Sequence, residues 1–380
     1  MSSSIWNWFV LLTVASVAAS EVREVLQGNG SVHGSEQIHV TPPGGTNVTD
    51  PVHGRRDSGN GEEPTRGFRE PGRRRHAIPT MPSPWPPRNT VVEKSCPRPK
   101  RHRRFTKHDE DVINVALNVE YLLAEFFLHA AFGQGLDGFD PELSNAGPAP
   151  IGGEKAHLGH RLVEKVAKES GFQGMGHIRL IRSKLKGKAV PRPQLDISRS
   201  VWARFLAQAL EQELIPPFNP YNDTISFLVA AQVLPYAALS AYFDQSSHIV
   251  GQEAQKLLGG LLSITSAQDA ILRTLLYQHR EETLKTYNLT VAQITDKIST
   301  YCTRLIQDQE MDETVFLPFQ QLSEQNLVAS IVTVDKDFLP LRLSTRQVLG
   351  LLYGSGNASV PGAFFPQGAV GKIADKFLRH

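Results

Sequence analysis

Cysteine is nearly missing: the 380-residue chain holds only Cys96 and Cys302. That excludes a small fold stapled by several disulfides and leaves a Cys96–Cys302 bridge as the single possible pairing. The chain is long enough to bury a core without it. Net charge is also low, +2. After the first twenty residues no unbroken apolar run has the length of a membrane span. Serine-hydrolase elbows, Walker loops, dinucleotide fingerprints and zinc-deaminase patterns are all missing, so those chemistries lack their usual sequence basis. Between 21 and 105 large apolar residues are scarce and Gly, Pro, Ser, Arg and Glu dominate. Such a segment cannot offset the entropy of ordering and is expected to be disordered.

What is present divides the chain. Residues 1–20 carry the apolar centre IWNWFVLLTVASVAAS and end in Ala18, Ala19 and Ser20, the form of a signal peptide, although no basic residue precedes the apolar run. The expected destination is the secretory pathway: extracellular space or cell wall. Asn-X-Ser/Thr acceptors at Asn47, Asn222, Asn288 and Asn357 fit that route. From Arg66 to Lys107 thirteen Lys or Arg residues face only Glu70 and Glu93. A block of this kind is a solvated linker or a contact for an anionic wall or membrane surface. No aromatic-interleaved module accompanies it, which disfavours nucleic acid. No specific protein partner or oligomeric state is implied.

The remainder, 106–380, is expected to be helical. Thr106 and Asp109 form a capping-box pattern, and VINVALNVEYLLAEFFLHAAFG keeps a helical period until Gly133 and Gly135. Further helices are expected at 154–170, at 198–213, at 223–243 with a kink or junction at Pro235, at 250–284 and at 290–306, with a short one near RQVLGLLYG. Gly171, Gly174 and Gly176 either bend one helix or separate two. Four major apolar helices make an all-α four-helix bundle, which the last seventy or so residues wrap.

Polar residues intrude on this pattern. Glu120 shares a stripe with Ile113, Ala116, Leu123 and Phe127, so it faces the core and needs a proton, hydrogen bonds, a counter-charge or a metal. Glu125 lies on another side, nearer Asn118, Leu122 and His129. Glu154, His157, His160 and Glu164 share a face if 154–170 is helical; the face is either charged and solvated or a zinc, iron or manganese donor set. His177 follows the glycines and precedes apolar residues, as a core histidine or ligand. Gln268 is placed to close a core hydrogen-bond network with Glu120, His177 or Tyr236.

The stretches DVINVALNVEYLLAEFFLHAAFGQGLDG, PELSNAGPAPIGG, IPPFNPYNDTISFLVAAQVLPY, LLGGLLSITSAQDAILRTLLYQHR and PGAFFPQGAVGKIADKFLR resemble the plant desiccation-related protein family of the ferritin-like superfamily. The resemblance implies a ferritin-like four-helix bundle with additional helices and a C-terminal wrap, an association with dehydration or other stress, and an extracellular or wall location. In metal-binding ferritin-like proteins carboxylates of the first and third helices join Glu-X-X-His pairs of the second and fourth. Here Glu120 and His177 match, but Gly174 stands at the second-helix glutamate. No glutamate occurs around Gln232 to Tyr236, and Thr265 and Gln268 replace the fourth-helix pair. The expectation is therefore a non-enzymatic protein without a complete dimetal centre and with no cofactor. Two alternatives remain: an iron, manganese or zinc oxidoreductase with a non-standard site using Glu120 and His177, and a wall-binding module acting through 66–107.

Overall fold

The computed structural model describes residues 105–307, 331–332, 334 and 338–379. The leader, the 21–104 segment, Asn47, Cys96 and the basic tract before Phe105 lie outside the described residues.

The described part is all-α apart from one short hairpin. Its helices of seven or more residues are α1 (Lys107–Phe132), α2 (Arg161–Leu185), α3 (Arg199–Leu210), α4 (Thr224–Ala231), α5 (Val233–Ser246), α6 (Gln252–Gln278), α7 (Val291–Gln307), α8 (Thr345–Tyr353) and α9 (Lys372–Leu378). Strands β1 (Thr283–Leu284) and β2 (Leu289–Thr290) pair antiparallel between α6 and α7. The bundle consists of α1, α2, the α4–α5 pair and α6, with α1 packed most extensively on α2 and α5 on α6.

Helix α1 starts where its local chemistry dictates. The Thr106 hydroxyl accepts from Asp109 N at 3.0 Å while Asp109 accepts from Thr106 N at 2.7 Å, the reciprocal box expected from sequence. The same Asp109 carboxylate also accepts from Val250 N at 2.9 Å and Gly251 N at 3.1 Å, and Gly251 is the N-cap of α6. One buried side chain thus satisfies backbone donors at the start of two helices. Helix α1 ends at Gly133, whose φ of 77° is a left-handed turn that favours glycine.

Helix α1 and the stretch Thr224–Ser246 are long and apolar enough to cross a membrane, contrary to the expectation that no such run follows the leader, but 89% and 83% of their most apolar windows are buried inside the protein. They are central helices, apolar because other helices surround them.

Helix α2 runs unbroken through all three glycines. Gly171 and Gly174 lie where α2 meets α1: a Cβ on Gly174 would stand 2.9 Å from the Ala124 Cβ and 3.0 Å from the Ala124 Cα. These glycines permit close helix contact instead of breaking the helix. Pro235 sits in the first turn of α5, one turn past the α4–α5 junction at Gln232, where its missing N–H costs little.

The expected helix at 154–170 begins only at Arg161. Residues 151–160 are extended because distant partners take their backbone: Ile151 N donates to Leu195 O, Ala156 N to Ala130 O and His157 N to Tyr221 O. The C-terminal part crosses the bundle. Asn118 on α1 exchanges two hydrogen bonds with the Val370 backbone, at 2.8 and 2.9 Å, and Phe364 packs on Trp202 with ring centroids 4.7 Å apart.

Candidate functional site

Glu120 is 2% exposed and projects from the middle of α1. Its Oε2 meets His177 Nδ1 of α2 at 3.0 Å, and its Oε1 accepts from the Tyr242 hydroxyl of α5 at 2.8 Å. Three bundle helices therefore converge on one carboxylate. A carboxylate only accepts, so Nδ1 carries the proton of the His177 contact. Burial works against charge on His177, yet the charge and hydrogen bond of Glu120 outweigh it and hold the imidazole above its usual value. Burial, reinforced by Glu120, pushes Tyr242 far above its usual value, so the phenol stays a donor.

Gln268 lies nearby on α6 but donates to Gln173 Oε1 of α2 at 2.7 Å. Tyr236 belongs to a separate cluster: the Arg273 guanidinium lies 5.6 Å from its ring centroid and its Nε bonds both oxygens of buried Asp269 at 3.0 and 3.1 Å. Cys302 borders this cluster as a buried free thiol pushed up to about 12 by burial. Its proposed partner Cys96 is outside the described residues.

A further charged group was only half legible. Glu125, fully buried on the opposite side of α1, binds Arg192, which is itself 1% exposed. Arg192 also holds Asp137 at 2.8 and 3.0 Å and Pro148 O at 2.7 Å. Glu125 Oε2 accepts from Leu136 N at 3.3 Å. Burial raises Glu125 despite Arg192 and likewise lowers His129 beside it. A carboxylate within AEFFLHAAF requires a buried cation, but nothing local marks Arg192, in PRP, as that cation.

The literal Glu-X-X-His of 154–157 forms no donor set. Glu154 pairs with Arg199, Glu164 pairs with Lys168 at 2.5 Å, and His160 is the N-cap of α2. Their shared face vanished with the expected helix. Of the sequon asparagines, Asn222, Asn288 and Asn357 are all exposed.

The fold family implies a dimetal centre, and the donor set tests it. Both Glu120 oxygens and the His177 Nδ1 are already engaged with one another or with Tyr242. The glutamate position on α2 is Gly174, closed by Ala124, while Gln232, Thr265 and Gln268 are buried and neutral. Among the described residues no group of three or more His, Cys, Asp or Glu side chains can hold a metal ion. These residues do not fit a two-metal site, which needs several anionic oxygens to balance its charge.

Comparison with known proteins agrees with the architecture. The ferritin-like domain family matches residues 108–278. The chain is 37% identical over 270 residues to the ferritin-like catalase Nec2 of Nesocodon mauritianus, covering 71% of this chain and 86% of that protein. It is 35% identical over 266 residues to the desiccation-related protein PCC13-62 of Craterostigma plantagineum, covering 70% and 84% respectively. No solved structure matches. With the helical bundle and this extent of identity, the chain belongs to the ferritin-like superfamily, alongside a plant desiccation-related protein and a ferritin-like catalase.

Proposed function

We propose that this protein is a secreted, stress-associated bundle that acts without a dimetal centre, by contact with its surroundings and not by catalysis. The observation that carries the reading is the Glu120 carboxylate, which gives both oxygens to protein donors, His177 and Tyr242. A carboxylate so committed closes the bundle axis as a hydrogen-bonded core network. Similarity to a desiccation-related protein supports the stress association. The apolar leader and the exposed acceptor asparagines support secretion. The basic tract 66–107 supplies a contact for an anionic wall surface; its deletion should release the protein from isolated wall material at low salt.

The test is elemental analysis of protein purified without added metal, together with dioxygen evolution from hydrogen peroxide. Less than one transition metal per several chains and no evolution above a boiled control are expected. Stoichiometric metal lost in a Glu120→Ala variant would overturn the reading.

The similarity to a ferritin-like catalase favours a second reading, disproportionation of peroxide to water and dioxygen. Peroxide turnover that collapses in His177→Ala would select it.

A further inference from the structure

A groove of about 730 Å³ opens between the start of α3, the loop before α4 and the β1–β2 hairpin. This is the size range of small-ligand sites. Its walls carry charges of both signs, Asp223 and Glu282 against Lys285 and Arg199, and Arg199 is already paired with Glu154. Such a lining selects neither an anion nor a cation. The rest includes amide and ring surface, at Asn219, Asn222, Pro216, Pro217 and Tyr287, beside hydroxyl and aliphatic side chains. Tyr287 spans the groove, its hydroxyl donating to Pro216 O at 3.1 Å, and is half-buried. Flat apolar surface beside side-chain amides suits a neutral polyhydroxylated ring, whose C–H face covers the aromatic while its hydroxyls meet the amides.

The wall itself contains an acceptor for such a ring. Asn222, followed by Asp223 and Thr224, is exposed and lines the groove. We propose that Asn222 is N-glycosylated and that the first saccharide of its glycan lies in this groove against Tyr287. The inference rests on the secreted reading above. In the reaction, Asn222 Nδ2 bonds to the anomeric carbon of a lipid-pyrophosphate-linked oligosaccharide. The bond from that carbon to the pyrophosphate oxygen breaks, the pyrophosphate leaves with its electron pair, and Nδ2 gives up one proton. The remaining N–H keeps the present bond to Asp223 Oδ2, 3.1 Å away. Asp223 is fixed independently as the α4 N-cap, accepting from Ser226 N at 2.8 Å and Ser226 Oγ at 2.9 Å. Thr224 is already in helix α4 and its hydroxyl accepts from Gly159 N. Modification therefore precedes folding, and the sugar is enclosed as the groove forms.

The other described acceptors provide an internal comparison. Asn288 stands at the hairpin turn and Asn357 follows α8, both exposed and neither lining the groove. The full chain, secreted from a plant cell line, is mapped by glycopeptide mass spectrometry and then treated in its native state with a peptide N-glycosidase. Glycan at Asn222 should be released about tenfold more slowly than at Asn357, equivalent to roughly 1.4 kcal/mol of protection. Denaturation should remove the difference, and Tyr287→Ala should remove it natively while Tyr287→Phe preserves it. Glycan at Asn357 with bare Asn222 overturns the proposal and leaves secretion standing. Equal native release overturns the docking of the sugar. Absence of glycan at every acceptor overturns both this proposal and the secreted reading.

Discussion

Replacing Arg192 by Met should be among the most damaging single changes away from the bundle axis. Arg192 is 1% exposed and Glu125 is fully buried, so the substitution leaves a carboxylate in the interior with Leu136 N at 3.3 Å and the His129 imidazole at 3.5 Å as its remaining close partners. It also strips Pro148 O of its 2.7 Å partner. Removing one member of a buried ion pair costs about 3–5 kcal/mol, because the other charge stays behind. At about 2–4 °C per kcal/mol for a domain of this size, the melting temperature should fall by roughly 6–20 °C. Circular dichroism of the helical signal against temperature and urea gives both quantities. The double variant Arg192→Met/Glu125→Leu tests the cause: it removes the stranded charge, and Asp137, 46% exposed, remains solvated. It should melt above the single variant. The pH dependence adds a sign. Burial already raises Glu125, and Arg192 opposes that rise. Without Arg192 the carboxyl binds its proton more tightly when folded than when unfolded, so the variant loses stability as pH rises above the usual carboxylate range. Acidification should narrow its gap to wild type. A loss below about 1 kcal/mol, a double variant no better than the single, or a gap that widens in acid would refute the argument.

In wild type the His177 imidazole should titrate above its usual 6.5 by NMR, whereas in Glu120→Gln burial acts alone and it should titrate below. Its stabilising contribution is complete below that usual value and is lost as pH rises through the folded pKa; Glu120→Gln should lack this limb in urea titrations. Tyr242→Phe removes the donor to Glu120 Oε1 and should cost about 1–3 kcal/mol in the same assay. Gly174→Ala forces a Cβ to within 2.9 Å of Ala124 and should cost about 1–3 kcal/mol. Gly176→Ala, with nothing within 4 Å of its Cβ, should instead stabilise by about 0.5–1 kcal/mol.

The features visible in the sequence were those whose cause is local. The Thr106–Asp109 box lies within one turn, the stop at Gly133 needs only a left-handed residue, and the Glu120 stripe follows from helical period. What stayed hidden depends on distant chain. Glu120 finds Tyr242 122 positions away and Glu125 finds Arg192 67 positions away. Residues 154–160 have respectable helical composition but lose their backbone donors to Ala130 and Tyr221. The glycines of α2 read as interruptions because composition records their flexibility and not the neighbouring helix that needs their lack of a side chain. Tyr242 escaped notice for a related reason: a tyrosine in an apolar run is ordinary core, and only the carboxylate opposite makes its hydroxyl significant.

Asp109 has a consequence for how the bundle comes apart. Burial opposes its charge, but the backbone donors of Thr106, Val250 and Gly251, with the Thr106 hydroxyl, hold it below its usual value. The stability it supplies is present above 3.8 and disappears as pH falls through the folded pKa. Because that carboxylate fastens residues 142 positions apart, it works as a clasp between the opening and closing helices of the bundle. Protonation unbuckles both at once, so acid loosens this end of the molecule as a single joint, whereas a cut in the chain between them would leave the clasp shut.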